Sequence, residues 1–399
     1  MEKQINKKLI PIILIIAIVA TQASIDIYLP SMPAIKQYFH TSASMTQLSL
    51  TALLLGSSLP QIIVGPLSDR FGRRPMFIFG VSLFLFSSIF CIFSKNIETF
   101  LIARFLQGSG CATISVLFRA SFRDVFSGEE LVRAFSLVAI IWSCTPIFAP
   151  VLGGFIQTYL GWKANFMVLI IAGVLVLLLV IFYFPETQSH QHRQNLHLKT
   201  IIKNYRTLLV SRNFLGFSLI ALIALGFLFG FSTAAPFILQ THLGLTPIQY
   251  SFATLFVAFG YMLGAHINRN YSQYIKTKTV LLYAPIGMLI INIIAFSLAL
   301  SGEFSVATFI IPSALLFFCL GFIYPHCMTG AMTFFPHISG IAGALFGMIN
   351  FLGTSAITAV IAHLPGHSLT PINLLFLIMS AVSVMVYFFI TAKIKMPDK

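Results

Sequence analysis

Residues 45–94 read MTQLSLTALLLGSSLPQIIVGPLSDRFGRRPMFIFGVSLFLFSSIFCIFS. Two apolar runs, 45–66 and 76–94, flank a short segment with one acid, Asp69, and three bases, Arg70, Arg73 and Arg74. Each run is close to the ~20 residues a helix needs to cross a bilayer's hydrocarbon core. Barrel strands would alternate over ~10-residue segments, and these runs do not. The stretch therefore predicts two membrane-crossing helices joined by a basic turn.

The same pattern extends in both directions. Apolar runs begin at Leu9 and recur to about residue 392, giving twelve expected spans, the first over 9–30. The composition agrees: hydrophobic residues make up 58% of the 399 and charged residues only 9%. A soluble domain carries about 25% charged residues, so soluble-enzyme readings fall away. The basic N-terminus followed by an apolar run resembles a signal peptide. The run continues to about Pro30 without a convincing cleavage site, so it is read as a first span. The five cysteines lie singly in apolar runs and are read as small core residues rather than a disulfide or metal framework.

The net charge of +14 reports topology rather than a nucleic-acid partner. Of the 24 Lys and Arg residues, 20 fall in segments on the side of the N-terminus. Three (Lys36, Lys95 and Lys163) fall on the other side, and Arg104 lies within a span. This is a strong positive-inside bias. It places both termini in the cytoplasm, as an even number of spans requires. The expected fold class is an all-α integral membrane protein with twelve transmembrane helices in two six-helix halves. The expected boundaries are 1–184, a polar cytoplasmic linker at 185–212, and 213–399. His190, His192 and His197 in that linker fit no ligand spacing, and no metal site is expected. A weak repeat supports the two halves: Gly65 and Arg70 recur as Gly264 and Arg269, each 199 residues on.

There is no Gly-Lys pair and hence no phosphate-cradling ATP loop, and no hydrolase motif. What remains is rare charge inside the membrane. Asp26 is the one acid clearly within a span, and Arg104 the one base. A charge at the bilayer centre costs ~2.5–3.5 kcal/mol on insertion scales, and such groups usually serve a site. Asp26 is read either as a proton-handling group or as a carboxyl snorkelling to the outer interface. Arg104 is expected at similar depth, either tuning Asp26 or locking helices one and four together. Tyr28, Gln107, Trp142, Tyr261, His326 and Asn350 are candidate cavity-lining groups, though each also suits a helix–helix hydrogen bond.

Four motifs carry a family resemblance. Gly65-Pro-Leu-Ser-Asp69-Arg70-Phe-Gly72-Arg73-Arg74-Pro75 resembles the signature between spans two and three of the major facilitator superfamily. Arg104-Phe-Leu-Gln107-Gly108 resembles the fourth-span motif of its proton-driven antiporters. Pro146-Ile-Phe-Ala-Pro150-Val-Leu-Gly153-Gly154 resembles their fifth-span motif. Asp26-Ile-Tyr28-Leu-Pro30, together with Pro185-Glu186-Thr187, resembles the Bcr/CflA drug-efflux family. Where that family usually has Pro-Asn-Ala in span ten, this chain has Pro325-His326-Cys327.

The resemblance implies a monomeric antiporter of the inner membrane. It would exchange protons for small amphipathic substrates and need no cofactor beyond the proton gradient. It also implies that the 65–75 segment, with Gly65, Asp69, Arg70, Gly72 and Arg73, acts as a gate in which glycine permits a tight turn. Export of a metabolite such as a siderophore, and a non-transporting sensor of the same fold, stand as alternatives.

Overall fold

The computed structural model describes residues 9–188, 198–271, 274–366 and 368–394; within 132–143 only the backbone is described. Among the described residues every regular element is a helix. Eleven helical passes among the described residues are long and apolar enough to cross a membrane. Between the fourth and fifth of them lies α7 (Gly128–Leu160), 33 residues long, whose described apolar part covers Cys144–Leu160. The chain divides into two compact units, residues 1–197 and 198–399.

The first unit contains α1 (Leu9–Asp26), α2 (Met32–Tyr38), α3 (Ala43–Gly56), α4 (Pro60–Phe71), α5 (Arg73–Phe93), α6 (Ile97–Val125), α7 and α8 (Trp162–Tyr183). The second contains α9 (Leu198–Val210), α10 (Arg212–Ala235), α11 (Pro247–Tyr271), α12 (Thr277–Leu300), α13 (Val306–Thr333), α14 (Ser339–Ala362) and α15 (Thr370–Phe389). Their internal packing follows one scheme. α6 packs on α1, α3 and α5, as α13 packs on α10, α11 and α12. α1 also packs on α7, and α5 on α8, as α10 does on α14 and α12 on α15. The two central helices even start alike. Asn96 with Thr99 opens α6, and Ser305 with Thr308 opens α13, each as a reciprocal capping box.

Two sequence expectations are corrected. The first span does not stop at Pro30. After α1 the chain passes through a 3₁₀ turn, Leu29–Ser31, and continues as α2, so the apolar pass runs from Leu9 to Tyr38. Pro30 and Pro33 lack the N–H groups that would carry the helix through, which produces the break. The segment between the second and third spans is not an open loop: α4 continues to Phe71 with Gly65 inside it, where an added Cβ would meet nothing within 4 Å, and α5 starts at Arg73. The turn residue is Gly72, at φ +100°, a conformation that L side chains rarely adopt. Gly264, its match in the sequence repeat, does a different job: it approaches the Phe318 carbonyl so closely that a Cβ would collide. The segment 185–212, expected as a polar linker, contains α9. His190, His192 and His197 lie outside the described residues.

Apolar helices gain no hydrophobic drive to associate in lipid, so close packing and buried polar contacts hold them. Gly153 on α7 meets the Ile27 carbonyl at the α1 break so closely that a Cβ would collide. Asn165 on α8 donates to the Ser31 hydroxyl at 2.8 Å and to the Gly153 carbonyl at 3.4 Å, tying α7, α8 and the break together. The abundant phenylalanine is divided between core and surface. Phe77, Phe84 and Phe100 are fully buried, whereas Phe86, Phe93 and Phe182 lie on exposed faces that lipid would cover.

Candidate functional site

Asp26 is the last residue of α1 and therefore lies inside the first pass rather than at its edge. It is 5% exposed. Its Oδ2 accepts a hydrogen bond from the Gln22 amide one turn earlier at 3.3 Å. Among the described residues no cation is paired with it.

Arg104 is fully buried on α6 but does not reach Asp26. A helix that breaks leaves the carbonyls of its last turn without regular partners. Arg104 supplies donors to one of them: both terminal nitrogens, Nη1 and Nη2, lie 3.2 Å from the Ser24 carbonyl. Nη1 also donates to Oε1 of Gln107, one turn along α6. The guanidinium lies 4.0 Å from the centroid of the Tyr28 ring, a cation–π contact. Gln107 in turn donates to Ser88 Oγ on α5 at 2.7 Å, and the Tyr28 hydroxyl lies 3.2 Å from Ser49 Oγ on α3. Arg104, Gln107 and Tyr28 thus form one buried network with Ser24, Ser49 and Ser88, joining α1, α3, α5 and α6. Asp26 stands two residues away on another face of α1. Matched depth was readable from the sequence. The rotation of each helix was not, nor was a partner that is a main-chain oxygen.

A second cluster gathers where α4, α5 and α6 end. Arg73, the first residue of α5, places Nη1 2.6 Å from Asp69 Oδ1 and Nε 3.0 Å from Asp124 Oδ2. Its Nη1 also bonds Ser68. Glu186, on the segment after α8, accepts from the backbone N–H groups of Arg73 at 2.8 Å and Arg74 at 3.3 Å. A carboxylate at this point satisfies open N–H groups and meets the positive end of the α5 dipole. Gln188 donates to the Asp69 carbonyl at 3.0 Å, and Thr187 to Asp124 at 3.3 Å. Gly72 supplies the turn that lets α5 begin there, and Gly65 and Arg70 lie on α4. Asp124 was the residue missed. Its place next to the end of span four, in a chain with 10 acids, was the available signal.

The remaining candidates are scattered. Pro146, Pro150, Gly153 and Gly154 all lie within the continuous helix α7, with Pro150, Gly153 and Gly154 buried. Trp142 falls among the side chains outside the described residues. In the second unit, His326 on α13 has Nε2 3.0 Å from Asn268 Oδ1 on α11 and Nδ1 3.1 Å from Thr277 Oγ1 on α12. Asn350 on α14 is buried. Its amide donates to the Phe346 carbonyl at 2.7 Å, and among the described residues its Oδ1 has no hydrogen-bond partner. Tyr261 is partly buried on α11.

Comparison with known proteins places this architecture. A family model for the Major Facilitator Superfamily matches residues 14–358. The "Uncharacterized MFS-type transporter YdgK" of Bacillus subtilis is 35% identical over 85% of this chain and 84% of its own. The "Bicyclomycin resistance protein homolog" of Haemophilus influenzae is 26% identical over 92% of each chain. "Multidrug resistance protein D" of Escherichia coli is 26% identical over 96% of each. Among solved structures, a D-xylose–proton symporter superposes with a TM-score of 0.77 over 96% of this chain and 97% of its own, at 15% identity, which speaks for the fold alone. Two helical units built on one packing scheme, with a match over most of the chain, make this protein a multi-pass membrane transporter of the Major Facilitator Superfamily, and not an enzyme.

Proposed function

We propose that the protein is a proton-coupled antiporter that exports amphipathic small molecules, drugs among them, by alternating access. The observation that carries this reading is Asp26: a carboxyl 5% exposed within an apolar pass, with an amide for a partner and no cation paired with it among the described residues. An unpaired charge is costly in such surroundings, so the group has strong reason to exchange a proton as its surroundings change. The relatives named for bicyclomycin and multidrug resistance support the substrate class and the outward direction.

In this reading, protonated Asp26 favours one facing state. Release of the proton to the cytoplasm permits substrate to bind, and outward movement follows. Coupling requires proton and substrate to bias the two states differently. Arg104 serves as a positioning residue: it holds the Ser24 carbonyl and so fixes the last turn of α1, which presents Asp26. The cluster of Asp69, Arg73, Asp124 and Glu186 acts as the gate that holds its helix ends together in one state. The charge bias puts both termini in the cytoplasm. The transporter works as a monomer in the inner membrane, with 1–184 and 213–399 as its moving halves, and the proton gradient is its only energy source.

The test uses inside-out vesicles with an imposed proton gradient, a ΔpH dye, and a panel of amphipathic drugs. Wild type is expected to dissipate the gradient when substrate is added. Asp26→Asn is expected to insert and fold normally but lose the response. Full substrate-driven proton movement in Asp26→Asn would remove Asp26 as the carrier.

A further inference from the structure

One helix has no part in this cycle. α9 is 13 residues long, LKTIIKNYRTLLV, and at 1.5 Å per residue it spans roughly 20 Å, too short for a core of about 30 Å. A single residue, Ser211, separates it from α10, the first membrane pass of its unit. The C-terminal end of α9 is therefore held at the level where α10 enters the bilayer.

Around the helix the side chains fall into sectors. Leu208 is fully buried, and Ile201 and Tyr205 on the same face are partly buried; the helix packs against α10 and α14. Next around the circumference come Ile202 and Leu209, seven residues apart on one line and 65% and 46% exposed. Beyond them lies a strip of exposed cations, Lys199, Lys203 and Arg206, spaced one and two turns apart. α9 has no acid, and among the described residues none of the three cations is ion-paired. In water the exposed isoleucine and leucine would be a liability. Beside a cationic strip at bilayer level they make the sector order of a helix lying in a membrane interface, with apolar side chains at the acyl boundary and long basic ones reaching the phosphates.

We propose that α9 is a lipid-contact helix whose Lys199, Lys203 and Arg206 bind the headgroups of anionic phospholipids while Ile202 and Leu209 enter the acyl boundary. Charge complementarity selects the lipid: three cations and no acid favour phosphatidylglycerol over a zwitterionic headgroup. Each cation near an anionic surface is worth roughly a fivefold preference.

The full chain carrying Leu209→Trp is placed in nanodiscs that contain, at equal mole fraction, either phosphatidylglycerol or phosphatidylcholine with brominated acyl chains. The difference from wild type isolates the added indole from Trp142 and Trp162. The brominated anionic lipid is expected to quench it at least about threefold more strongly. Adding K199Q, K203Q and R206Q is expected to bring the two lipids to parity. If Leu209→Trp does not fold, Ile202→Trp puts the indole on the same shoulder. Absence of quenching by either lipid would place α9 in water and overturn the proposal. Equal quenching with the cations intact would also overturn it, since headgroup selection would be absent. So would energy transfer between copies in place of lipid quenching, which would put a second chain on this face.

Discussion

The end of α4 with the start of α5, and the end of α11 with the start of α12, hold the same place in the packing scheme of their units. They are fastened by different chemistry. In the first unit one arginine, Arg73, sits between two carboxylates, and a third carboxylate, Glu186, closes the start of α5. In the second unit a relay of uncharged partners runs from Asn268 through the His326 ring to Thr277. The charged joint depends on one central cation, and losing it sets acids against each other. The second joint depends on a ring whose two nitrogens face an amide oxygen and a hydroxyl that can donate or accept. Two units with one scaffold thus hold corresponding ends with unequal sensitivity to salt and to mutation.

The sharpest way to break this comparison is Arg73→Ala. It leaves Asp69 and Asp124 without their cation. Removing one partner of a buried ion pair costs 3–5 kcal/mol, and partial exposure of both acids lowers that to about 2–3 kcal/mol. The thermal midpoint of the purified protein should fall accordingly, and less so near ~1 M salt, where the Debye length is ~3 Å. A loss under about 0.5 kcal/mol would mean that the charged cluster is not a joint. His326→Ala comes next. It removes two hydrogen bonds to uncharged groups at a partly buried site, an expected loss of about 1–2 kcal/mol with little dependence on salt. A salt-dependent loss there would show that the second joint is ionic after all. Asp69→Asn converts the acid of the first unit toward the asparagine of the second. Asp69 is 45% exposed, so the expected change is below about 0.5 kcal/mol at moderate salt. A larger fall would move the centre of the cluster from Asp124 to Asp69.

The fold was legible because crossing a bilayer demands long apolar runs. Errors fell where backbone chemistry decides. The break between α1 and α2 hides behind two prolines in an otherwise apolar run, so the first span was read eight residues short. The 65–75 segment looked like a loop because of its charges and glycines, yet most of it is helix and Gly72 alone makes the turn. α9 was not foreseen, because its polar residues dominate a window too short to look like a span. In the site, Asp26 and Arg104 were singled out as rare intramembrane charges, and both lie within apolar passes. Their separation rests on about half a turn of α1 between Ser24 and Asp26, which spacing along a chain does not reveal without knowing which face meets α6.

The grip of Arg104 on the Ser24 carbonyl has a consequence for how this protein varies over evolutionary time. A main-chain oxygen is present whatever residue occupies position 24. That position is therefore free, as far as this contact goes, to change without any compensating change at 104. Correlated substitutions, the usual trace of two helices touching, will be silent about one of the most deeply buried attachments in the first unit. Sequence records of relatives can reflect the ties of position 104 to Gln107 and Tyr28, but not its hold on the main chain at position 24.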